Sequence, residues 1–407
     1  MSPTNNSGNS RPIRTYPGVY VEEIPSGIHT ITDVATSVTA FIGRAQRGPL
    51  DEPVAIHSYG DFEHIFGGLR NECPMSFAVD DYFLNGGTRA LIVRVGSSQN
   101  EADSSRILDT SIIGNEDCKT GLYAFGKVDP FNILCIPPSS ENDDVGKGVF
   151  ATAADYCEKR RAMLIVDCPQ AWTTKEKAKS GISDLSASLG TSSKNTAVFF
   201  PRIRKSNPLQ NGKIETFAPC GAIAGVFART DTNRGVWKAP AGQDAELKGV
   251  TGLSVALTDV ENGELNSLGC NCLRVMPPAG QVVISGARTL QGNDMFSSEW
   301  KYISVRRLAL FIEESLNQGL KWVVFEPNDE PLWAKIRLNV NNFMLNLFRQ
   351  GAFSGTTPND AYFVKCDSDT TTQNDINLGI VNIQVGFAPL KHREFIILRL
   401  QQIFVKQ

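Results

Sequence analysis

"FNILCIP" (131–137) and "GVFATAADYCEKRRAMLIVDCP" (148–169) decide the fold class. The first is a short apolar run ending in proline, and it reads as a buried strand. The second opens with a helix-like run, "GVFATAADYCEKR", and "AMLIVDCP" is a second apolar strand. A strand, a helix of about three turns and another strand form the unit of a parallel sheet covered on both faces. The rhythm continues: "KEKAKSGISDLSASLG" predicts a helix, "NTAVFFPRI" a strand, "PCGAIAGVFART" a helix and "GQVVISG" a closing strand. The block spans 118–285.

Outside it, "VATSVTAFI" (34–42), "VAIHSYG" and "RALIVRV" predict strands, and "FAVDDYFLNGG" predicts a helix. "DFEHIFG" predicts another helix, with Asp61 as its N-cap. Residues 97–118 are polar and read as a linker. In the last third a helix is expected over 299–318, after the possible caps Ser297 and Ser298. Its buried stripe is Val305, Leu308, Ala309, Ile312 and Leu316. "KWVVFEP" predicts a strand. "EPLWAKIRLNVNNFMLNLFRQG" predicts a helix with Pro331 in its first turn and Gly351 after its end. "DAYFVKCD" and "GIVNIQVGFA" are extended.

The chain closes on "KHREFIILRLQQIFVKQ" (391–407). Ile396, Leu398, Leu400 and Phe404 alternate with Phe395, Ile397, Arg399, Gln401 and Ile403, the period of a strand. No hairpin partner follows it, so its partner is expected on another chain.

The 407 residues carry a net charge of −3, 41% hydrophobic and 20% charged side chains. That balance supports ordinary cores and leaves no general basic face for nucleic acid. No apolar run reaches the length of a membrane span, so no membrane insertion is expected. "MSPTNNSGNSRPIRT" has no apolar core and does not read as a signal peptide. Nine scattered cysteines then imply reduced thiols made in a cytoplasm. Cys270 and Cys272 form a C-x-C with no further ligands at metal spacing, which reads as a buried or incidental pair.

Catalytic motifs are missing from the α/β block. "DDVGKGVF" puts Lys147 between two glycines but lacks the rest of a phosphate loop. There is no G-x-S-x-G elbow and no H-E-x-x-H. His29, His57, His64 and His392 all lie outside the block. Glu313–Glu314 are helix neighbours that do not share a face. With Arg306–Arg307 they read as a solvated or salt-bridged face, or as an intersubunit contact. The expectations are therefore no catalytic residue, no metal and no cofactor. Two other readings, a soluble α/β hydrolase and a static tube or shell protein, stay as alternatives.

Seven stretches share a resemblance. "TYPGVYVEEIPSG" (15–27), "TDTNRGVWKAPAG" (230–242), "VVISGARTL" (282–290), "WKYISVRRL" (300–308), "VFEPNDEPLW" (324–333), "GAFSGTTPNDAYFVKCD" (351–367) and "GFAPLKHREFIILRLQQ" (386–402) together resemble the contractile tail sheath family. That family includes myovirus tail sheaths, R-type pyocin sheaths and sheaths of extracellular contractile injection systems. The resemblance implies a non-catalytic, multi-domain α/β protein. A subtilisin-like sheet domain would be joined to a discontinuous α+β domain built from N- and C-terminal segments, with extended terminal strands. The expected divisions are a lead and strand arm (1–24), an α/β segment and linker packing with the C-terminal domain (25–117), the sheet domain (118–285), a C-terminal domain facing an inner tube (286–389), and a final arm (390–407).

The implied function is a homo-oligomer of stacked rings, hexameric by resemblance, around a tube. It assembles in an extended high-energy state and contracts to drive the tube through a target envelope. Partners implied are the tube, baseplate and tail-terminator proteins and a possible sheath paralogue, in a phage tail or tail-like particle. The arms would contact other subunits through Tyr16, Val19, Val21 and Ile24 and through Phe395, Ile396, Ile397, Leu398, Leu400 and Phe404. Pro25, Gly27 and Pro389 would be their joints, and Lys335, Arg337 and Arg349 would face the tube.

Overall fold

The computed structural model describes residues 30–96, 108–141, 143–278, 280–390 and 395–403. Its largest element is an eight-stranded sheet built from β1 (Thr39–Gly43), β2 (Val54–Ile56), β3 (Ala90–Arg94), β4 (Ile133–Cys135), β5 (Met163–Asp167), β6 (Thr196–Phe200), and, beyond three strands of a small separate sheet, β10 (Cys270–Met276) and β11 (Gln281–Ser285). The small sheet has β7 (Ile203–Asn207) between β8 (Lys213–Phe217) and β9 (Gly252–Leu253). The large sheet runs β11-β10-β6-β5-β4-β1-β3-β2. Its interior pairings are parallel, and only the β10–β11 and β2–β3 pairs at its two edges are antiparallel.

Helices α1 (Tyr59–Phe66), α2 (Pro74–Leu84), α3 (Asp109–Ile113), α4 (Lys147–Lys159), α5 (Lys175–Leu189), α6 (Cys220–Arg234) and α7 (Asp259–Ser267) surround it. The alternation of side chains along a strand divides the core in two. Leu164 and Val166 of β5 pack with α4 and α5 on one face. Met163 and Ile165 pack with α1, α2 and α6 on the other. A sheet buried on both faces needs apolar residues at every position, and "MLIVD" is buried throughout. The C-x-C is explained by the same period: Cys270 and Cys272 are two apart on β10 and enter one core together.

The C-terminal third forms its own core from α8 (Ile303–Gly319), α9 (Glu330–Arg349), β12 (Tyr362–Lys365), β13 (Ile380–Phe387) and β14 (Ile396–Ile403). The predicted stripe Val305, Leu308, Ala309, Ile312 and Leu316 lies in it. Asp329 caps α9 by accepting from the Leu332 amide at 3.0 Å.

Several expectations need correction. The expected 25–117 segment divides: Ile31 and Val34 pack in the C-terminal core, whereas β1 sits inside the large sheet between β4 and β3. The hydrogen-bonded ladder therefore crosses the expected 117/118 boundary. "KWVVFEP" is not a strand. Lys321–Phe325 is a 3₁₀ turn between α8 and α9, closed by the Glu326 amide on the Val323 carbonyl at 3.1 Å. Helix α1 is capped by Ser58, and Asp61 is the third residue of a capping box, accepting from the Ser58 amide at 3.1 Å. Helix α8 starts later than expected, because Tyr302 is held extended in a bridge to Arg288.

The last strand is also corrected. It has an antiparallel partner within its own chain, β13, in register from Phe387↔Ile396 to Ile380↔Ile403. The partner precedes the strand instead of following it. Ile396 and Leu398 are buried in the C-terminal core, while Ile397, Arg399, Gln401 and Ile403 face outward, so the sequence alternation holds.

Candidate assembly surfaces

The first surface is the three-stranded sheet β12-β13-β14. Among the described residues β14 is an edge strand, with one side laddered to β13 and the other open to a further strand. At its start Phe395 packs on Phe363 of β12, ring centroids 5.7 Å apart. Gly386 makes this possible, since a β-carbon there would lie 2.1 Å from the Phe363 ring. Ile397 and Ile403 remain exposed. Of the expected arm residues, Ile396, Ile397, Leu398 and Leu400 thus lie on this strand and Phe395 immediately precedes it. Tyr16, Val19, Val21, Ile24, Pro25, Gly27 and Phe404 lie outside the described residues. Pro389 is no loose joint: it bridges Phe353, and the neighbouring Ala388 donates to the Ala361 carbonyl at 2.8 Å and accepts from the Ser354 amide at 2.8 Å.

The second surface is the outer stripe of α9. Lys335 and Arg349 are exposed on it, with Leu338 between them. Arg337 differs from its two companions. It is half-buried, pairs with Glu330 at 2.6 Å and donates to the Cys366 carbonyl, so it ties α9 to the end of β12.

The third feature was the charged face of α8, and it is internal. Arg307 donates to both carboxylate oxygens of Asp231 on α6, at 2.9 and 2.6 Å, and to the Thr36 carbonyl at 2.9 Å. Its guanidinium also lies 5.1 Å from the Phe227 ring centre. Arg306 donates to Asn195 at 2.7 Å and stacks on Trp300. Glu314 accepts from Arg161 at 3.0 Å. Of the readings open from sequence, the salt-bridged one holds: this face joins the C-terminal core to the large sheet within one chain. Nothing in the spacing of Arg306 and Arg307 named their partners, because those partners are distant in sequence.

Buried acids elsewhere serve packing. Asp81 of α2 accepts from Lys205 of β7 at 2.6 Å, and the Lys205 ammonium lies against both the Phe77 and Phe217 rings. Burial pushes the Asp81 carboxyl up to about 6, against the opposing pull of Lys205. Asp167, at the end of β5, is likewise pushed up to about 6 by burial, opposed by Cys220 and Arg202. Among the described residues no group of three or more His, Cys, Asp or Glu side chains forms a metal-binding cluster.

The arrangement defines a mixed α/β multi-domain protein with an open sheet edge and an exposed helix face as candidate assembly surfaces. Family models for the phage tail sheath protein central domain and the phage tail sheath C-terminal domain match residues 112–290 and 297–403. The chain belongs to the contractile tail sheath family. It is 26% identical over 395 residues to a prophage major tail sheath protein of Pseudomonas aeruginosa (strain UCBPP-PA14), covering 93% of this chain and 94% of that protein. Its structure is similar to the sheath of an extracellular contractile injection system, PVC, in the contracted state. There the TM-score is 0.72 and the identity 28%, over 96% of this chain and 98% of that one. It is similarly close to the contracted helical sheath of the anti-feeding prophage, with TM-score 0.71 and identity 28%, over 96% and 100% of the two chains. The chain is a structural subunit of a contractile sheath.

Proposed function

We propose that copies of this chain stack as rings around an inner tube, are assembled in an extended state, and contract to drive the tube through a target envelope. The full-length similarity to two contracted sheaths carries this reading. The physics supports it. Head-to-tail contacts that do not close generate helical filaments, and a polymer can release assembly energy through many small repackings. Rings of six, the tube, the baseplate and terminator proteins and a sheath paralogue are the partners proposed. Synthesis in a bacterial cytoplasm precedes release as a phage tail-like particle. The large sheet, mostly parallel with helices on both faces, fits a subtilisin-like label as a fold description, and no catalytic role is assigned to it.

The open edge of β14 is proposed to take the 16–24 segment of another copy by strand addition. Lys335 and Arg349 are proposed to face the tube. Negative-stain microscopy of the expressed protein tests the reading: hollow striated cylinders support it. Monodisperse monomers with hydrolytic activity, or smooth narrow tubes, would overturn it.

A further inference from the structure

Phe325 is the last residue of the 3₁₀ turn after α8, and the residue is 84% exposed. The turn beneath it is firmly held. Val323 is buried in the C-terminal core. Asn328, just beyond, donates to the Ile380 carbonyl at 3.1 Å and accepts from the Trp333 indole at 2.9 Å. A large apolar ring is thus presented to solvent on a fixed backbone. Residues 321–330 carry one cation, Lys321, and three acids, Glu326, Asp329 and Glu330. Glu330 is engaged by Arg337 and Asp329 caps α9, which leaves Glu326 beside the ring.

A groove of about 880 Å³ opens where the edge of the large sheet meets the C-terminal core. Trp237, Met276 and Leu390 contribute its apolar wall, and its charged lining residues are Arg234, Lys238 and Arg288, with no acid among them. Asp244 offsets Arg234 at 3.5 Å and Asp294 offsets Arg288 at 2.8 Å from outside the groove. Glu246 lies near Arg229, so Lys238 is the lining cation that gives the groove its positive excess. Arg229 donates to the carbonyls of Asn85 and Glu246.

We propose that the Phe325 ring of one copy seats in this groove of a second copy, with Glu326 set against Lys238. The inference rests on the sheath reading, because a heterologous contact in a one-component helical polymer must carry both of its halves on every chain. An aromatic anchor entering an apolar pocket within a charged rim is the usual form of an energetically dominant contact. Opposite charge fixes its orientation and speeds encounter.

The test is a charge exchange read by cylinder formation, with circular dichroism confirming the fold of each variant. Glu326→Lys and Lys238→Glu are each expected to reduce assembly about tenfold, and the double variant to recover it. Phe325→Ser is expected to reduce assembly by a similar factor with no recovery by either charge change. In a Cys118→Ser background, Phe325→Cys with Met276→Cys should give a disulfide-linked ladder from assembled protein and none from dilute monomer. Normal assembly of Phe325→Ser and Glu326→Lys overturns the contact while leaving the sheath reading intact. Impaired single variants with no recovery in the double and no ladder overturn this pairing too. A wild-type chain that forms no cylinders removes the sheath reading itself.

Discussion

Arg307 of α8 and Asp231 of α6 form a two-pronged ion pair at 2.9 and 2.6 Å, with each side chain only 3% exposed. It bolts the C-terminal core to the large sheet. Removing one partner leaves the other charge buried and uncompensated, which costs about 3–5 kcal/mol. Arg307→Ala should therefore lower the unfolding midpoint strongly. Asp231→Asn with Arg307→Met, which removes both charges, should cost less than Arg307→Ala. Denaturant unfolding of the unassembled subunit reads both.

The two faces of β14 predict opposite phenotypes. Leu398 is buried in the C-terminal core, so Leu398→Ala should destabilise the subunit by about 2–5 kcal/mol. Ile397 faces outward and is half exposed. Ile397→Ser should leave the melting temperature nearly unchanged and reduce cylinder formation. Normal cylinder formation by Ile397→Ser would remove the outer face of β14 as an assembly surface.

Asp167 gives a pH signature with a definite sign. Its folded value is raised by burial to about 6 from an ordinary 3.8. Between those values the folded chain keeps a proton that the unfolded chain has released. Its contribution to stability is therefore full in acid and falls as the pH rises to about 6, by on the order of 3 kcal/mol. Asp167→Asn does not titrate. It should be more stable than wild type at pH 7, with the gain shrinking towards pH 4.5, as thermal melts at the two pH values would record.

The three cations of α9 should separate. Lys335→Glu with Arg349→Glu should weaken co-purification of sheath with tube and leave the fold intact. Arg337→Ala should act on stability, since Arg337 holds Glu330 and the Cys366 carbonyl. Unchanged co-purification of the double reversal would remove α9 from the tube interface.

Periodicity made much of this legible in sequence. "MLIVD" and "IILRL" could be read as a doubly buried and a half-buried strand because side-chain alternation is a property of a few adjacent residues. The α8 stripe was legible for the same reason at helical spacing. "KWVVFEP" misled because a short apolar run does not say whether a neighbouring strand exists to ladder with, and Lys321–Phe325 has none among the described residues.

The sequence by itself determined the α/β class, the alternating faces of β14 and, through seven motifs in order, the sheath family. Only the tertiary structure decided that β1 joins β4 and β3 in one sheet, that β14 lies on β13, and that Arg307 meets Asp231 across 76 residues. The reason is physical. Local patterning chooses which face of an element is apolar, but ladders and buried ion pairs are chosen by whichever distant groups the packed chain brings within hydrogen-bond reach.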